Sequence, residues 1–93
     1  MVSITDAAAM NRNYRKACVN HPKGVYISEW TLNQILSQED CVGIRFYFAM
    51  DDDGKMRLTY AGVKANEDDI LGLVGNMGVL CPPSCGVSNA LNS

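Results

Sequence analysis

Between Val42 and Gly62 the chain alternates with period two on both sides of an acidic, glycine-bearing turn, which confines this stretch to an antiparallel hairpin. Val42, Ile44, Phe46, Phe48 and Met50 alternate with Gly43, Arg45, Tyr47 and Ala49. On the return, Met56, Leu58, Tyr60 and Gly62 alternate with Arg57, Thr59 and Ala61. The turn, Asp51-Asp52-Asp53-Gly54, sets the register, because a slip of one residue carries every side chain to the other face. A two-residue loop at Asp53-Gly54 puts Met50 opposite Arg57. A three-residue loop of Asp52, Asp53 and Gly54 pairs Met50 with Met56, Phe48 with Leu58 and Phe46 with Tyr60. The second register gathers the apolar residues on one face and places Gly54 where a positive φ is needed, so it is the one expected.

Two helices precede the hairpin. Ser3 and Asp6 form a Ser-x-x-Asp capping box, and Ala7, Met10, Tyr14 and Ala17 follow at helical steps. Pro22 and Gly24 end that element. Gly24 to Ile27 is short and β-prone. Ser28 then caps a second helix through Gln38, with Leu32, Ile35 and Leu36 as its apolar stripe and Ile27 stapled to Leu32. Beyond Val63 the pattern weakens. Asn66 before Glu67, Asp68 and Asp69 suggests an acidic first turn, and Ile70, Leu73 or Val74, and Met77 keep helical spacing. Gly72, Gly75 and Gly78 each cost about 1 kcal/mol in a helix interior, so this third helix is expected to be short. The expected fold is α+β: two N-terminal helices on an antiparallel hairpin or small sheet, a short C-terminal helix and an irregular Cys-Pro-Pro tail. One domain spans 1–93, divided into helix and loop (1–23), helix plus hairpin (24–63), weak helix (64–80) and tail (81–93).

Composition narrows the function classes. The 93 residues are 47% hydrophobic and 19% charged, which excludes a wholly disordered or coiled-coil chain. A net charge of −2 argues against nucleic acid as the main ligand. No apolar run is long enough to span a bilayer, and Met1 to Asp6 lacks the basic and apolar regions of a secretory signal, so a cytoplasmic setting is expected. Charge is uneven: residues 1–27 carry +3, 28–50 carry −2 and 51–93 carry −3.

The cysteines are the most specific chemical feature. Cys18 and His21 have Cys-x-x-His spacing, and Cys81 and Cys85 have Cys-x-x-x-Cys spacing. Four soft ligands in two close pairs suit a structural zinc site, and a small domain gains much from such a staple. Three states stay open: zinc held by Cys18, His21, Cys81 and Cys85, a Cys81–Cys85 disulfide, or free thiols. Cys41 has no visible partner. Asp51 to Gly54 does not match an EF-hand loop, because Lys55 and Met56 occupy its fifth and sixth positions. The single histidine, His21, has no carboxylate placed to orient it, and no nucleophile elbow, P-loop or dinucleotide fingerprint occurs. The chain is therefore expected not to be an enzyme.

The run Gly24, Gly43 to Phe48, Asp51 to Gly54, Gly62-Val63 and Cys81-Pro82-Pro83-Ser84-Cys85 resembles a group of small uncharacterised bacterial proteins. They share a G-[IL]-R-[IF]-Y-[YF] strand, an acidic glycine turn and a C-P-P-x-C tail. The resemblance covers most of the chain and implies a self-contained fold without implying an activity. Lys64 stands where such sequences tend to carry Asp. An isolated two-stranded sheet is marginal and its edges present unpaired backbone groups, so the expected function is that of a small interaction or structural subunit, its partner a protein and most simply itself. The alternatives are a metal-stapled or thiol-redox protein using the four residues above, and an immunity-like inhibitor of a basic partner.

Overall fold

Serine caps start both helices. In the computed structural model, which describes all 93 residues, the Ser3 hydroxyl accepts from the Asp6 N–H at 3.0 Å at the head of α1 (Ile4–Ala17). The Ser28 hydroxyl accepts from the Thr31 N–H at 3.2 Å at the head of α2 (Glu29–Leu36). Ile27 and Leu32 line one apolar depression with Val25, Phe46 and Leu58, the arrangement a staple requires. α2 ends at Leu36, short of Gln38, whose side-chain amide turns back to donate to the Ile35 carbonyl at 2.9 Å.

The rest of the chain is β-structure in two antiparallel sheets. β1 (Gly24–Tyr26) pairs with β5 (Val79–Cys81), while β2 (Gly43–Met50), β3 (Met56–Val63) and β4 (Asp69–Gly75) form a three-stranded sheet in that order. The hairpin register is the one the turn dictates: Met50 faces Met56, Phe48 faces Leu58 and Phe46 faces Tyr60, with Gly54 at φ +80°. Asp51 organises the turn by accepting from the Asp53 and Lys55 N–H groups and the Arg57 guanidinium.

The helix expected over 64–80 is not present. Residues 64–68 instead form a tight connection, with Glu67 at φ 74°, and the chain continues as β4 and then β5. The segment pairs with β3 instead, across a bulge. Val74 pairs with Ala61 and Ile70 with Gly62, so three residues, Leu71 to Leu73, are looped out between adjacent pairs. Ile70, Val74 and Met77 stand at helical steps in sequence, yet Ile70 and Val74 pair with adjacent residues of β3 and so lie on opposite faces of the sheet. One glycine that counts against a helix serves the sheet: Gly75 lies against the Tyr60 ring, where a Cβ would overlap it.

The α1 stripe is also rotated from its expected position. Met10 is 63% exposed, and the inward side runs through Ala8, Asn11, Tyr14 and Arg15. α1 reaches the hairpin through Tyr14, whose hydroxyl donates to Met56 Sδ at 3.5 Å. α2 packs on all three strands of the larger sheet. The core is small. Only Ala8, Ile35, Tyr60, Ala61 and Gly62 are buried.

Candidate functional site

Alternation along β2 and β3 gives the larger sheet two unlike faces. Ile44, Phe46, Phe48, Met50, Met56, Leu58 and Tyr60 share one face with α2, and Arg45, Tyr47, Ala49, Arg57, Thr59 and Ala61 share the other. On the second face a polar tie crosses the sheet. Arg45 Nη1 donates to Asp69 Oδ1 at 2.5 Å, Arg45 Nη2 donates to the Glu67 carbonyl at 3.1 Å, and the Tyr47 hydroxyl donates to Asp69 Oδ2. The Tyr47 hydrogen bond, and after it the Arg45 bond and charge, hold the Asp69 carboxyl below the usual carboxylate range. β2 is thereby fixed to β4 across β3, which stiffens the sheet out to its β2 edge.

That edge is open. β2 pairs only with β3, and along it Phe46 is 43%, Phe48 85% and Met50 63% exposed. An eight-residue edge strand with exposed aromatic side chains is a template for pairing with another chain. Beside it a depression of about 230 Å³ lies between α1, β1 and the hairpin, lined among others by Tyr14, Lys23, Val25, Phe48 and Met56.

The four candidate zinc ligands are not assembled as a set. Cys81 and Cys85 are joined to each other as a disulfide with their Cα atoms 4.7 Å apart, which leaves neither a thiolate to offer a metal. Cys18 and Cys41 are free thiols, and Cys41 donates to the Gly43 carbonyl at 3.2 Å. The end of α1 does approach the tail, since His21 and Pro82 line one depression with Lys55, and His21 Nδ1 is buried there without a hydrogen-bond partner. No group of three or more His, Cys, Asp or Glu side chains is placed to hold a metal ion. A zinc set drawn from these four residues therefore requires the reduced tail.

A second polar feature has no signature in the sequence. The tail is strapped to α1 and the loop after it by side-chain donors aimed at main-chain oxygens. Asn11 and Arg15 donate to the Leu91 carbonyl at 3.0 and 3.1 Å, Arg15 also to the Ser93 oxygen at 2.5 Å, and Lys23 to the Asn92 carbonyl at 2.9 Å. Main-chain acceptors carry no residue code, so the sequence does not mark them. No helix is long and apolar enough to cross a membrane. Comparison with known protein families, with characterised proteins and with solved structures finds no match.

Proposed function

We propose that this chain is a non-enzymatic association subunit whose partner is a second copy of itself. The carrying observation is the area it leaves in water. A monomeric protein of 10.1 kDa exposes about 5,300 Å² by the size scaling of compact domains, and this chain exposes 6826 Å². The surplus of about 1,500 Å² exceeds the roughly 800 Å² that each partner gives to an interface of standard size. The radius of gyration agrees, at 14.8 Å where about 12 Å is ordinary for this length. Phe48 at 85% and Met50 at 63% exposure are side chains whose burial favours association.

Light scattering coupled to size exclusion tests this. The expected mass is about twice 10.1 kDa at micromolar concentration, falling toward the single-chain mass on dilution. A single-chain mass across the whole accessible concentration range overturns the proposal.

A further inference from the structure

Resting on the self-association just proposed, we infer that two copies join through their β2 edges, antiparallel about a two-fold axis at Tyr47, into one continuous six-stranded sheet. The backbone pattern leads there first. The Asp51 N–H donates to the Lys55 carbonyl at 2.9 Å, so Asp51 and Lys55 form a hydrogen-bonded pair. Pairs alternate along an antiparallel ladder, so Ala49, Tyr47 and Arg45 turn their backbone groups toward β3. Ile44, Phe46, Phe48 and Met50 then direct theirs to the open side. The residues with unpaired backbone groups are thus the same ones that carry the strand's apolar side chains.

The other strands are poorer templates. β4 is interrupted by the Leu71–Leu73 bulge, a device that blunts an edge, and β1 and β5 are three residues each. β2 has no bulge, no proline and no lysine, and its one charge, Arg45, is held by Asp69 on the opposite face.

Self-complementarity fixes the register. With Tyr47 on the axis, Phe46 lies opposite Phe48 of the second copy and Ile44 opposite its Met50, so every outward N–H and C=O finds a partner. Sliding the strands by two residues in either direction leaves a pair of these groups unmatched. The aromatic rings of both copies meet on one face. On the other, Arg45 meets Ala49 of the second copy, so no like charges are opposed.

Tyr47→Cys reads this register directly. A symmetric non-hydrogen-bonded pair has its Cα atoms about 4.5 Å apart, within disulfide reach, so mild oxidation should give a covalent dimer on a non-reducing gel. Wild type and Ala49→Cys, which the register places opposite Arg45, should give none. Phe48→Lys changes an exposed side chain and should convert the dimer to single chains, while Trp30→Lys on α2 should leave it intact. A dimer that survives Phe48→Lys, or equal cross-linking by Tyr47→Cys and Ala49→Cys, overturns the edge pairing and leaves self-association standing. A wild type that never exceeds the single-chain mass overturns self-association itself.

Discussion

Tyr60 is the one large side chain fully shielded from water, and it is held at both ends: its hydroxyl donates to the Met77 carbonyl at 2.7 Å and its ring lies on Gly75. Gly75→Ala should therefore cost about 2–3 kcal/mol, because the methyl and the ring compete for one space and neither backbone nor core can yield cheaply. Gly72→Ala is the comparison, since a methyl there meets only the flexible Gln38 amide at 3.3 Å. Urea midpoints should order wild type, Gly72→Ala, Gly75→Ala from high to low; equal midpoints for the two variants would show that the ring contact is unimportant. Two carboxylates give the fold a pH dependence. Asp51 is held below its usual value of 3.8 first by the Lys55 N–H and then by Arg57, and Asp69 by Tyr47 and then Arg45. A depressed folded-state pKa contributes stability that is complete above the unfolded value and disappears as pH falls through the folded one. Thermal midpoints should hold steady from neutral pH to about 5, then drop below about 4, and Asp51→Asn with Asp69→Asn should flatten that drop.

Among the elements, the hairpin was fully legible from sequence because a period of two and a turn of fixed length leave one register that keeps Phe46, Phe48 and Met50 with Leu58 and Met56. Both helix starts were legible for a similar reason: a serine hydroxyl three residues before an amide is a local geometry. β4 was not legible, because Ile70, Val74 and Met77 stand at helical steps, and what decides the matter is a partner strand and the ring of Tyr60, both distant from the segment. The Cys81–Cys85 disulfide was one of three open states, since spacing alone cannot distinguish two thiols that bond each other from two that share a metal. The strap on the tail invites a test of its own. Arg15→Ala removes donors to both Leu91 and Ser93, and proteolysis within residues 86–93 should become several-fold faster, with cleavage elsewhere unchanged. Reduction of the disulfide combined with Arg15→Ala should accelerate cleavage beyond either change alone. An unchanged cleavage rate in Arg15→Ala would show that the tail is held by other contacts.

For the molecule as a whole, α1 has an unusual attachment. Its side-chain hydrogen bonds to the rest of the chain run from Tyr14 to the hairpin and from Asn11 and Arg15 to the tail, the latter across 76 to 80 residues of chain. A 14-residue helix is marginal in water by itself, so α1 depends on these contacts to stay helical. Part of its seat, the oxygens of Leu91 and Ser93, is made roughly 4–16 s after Asn11 and Arg15 at ordinary rates of elongation. Through that interval α1 lacks the acceptors that later hold it, and its turns form and melt rather than persist.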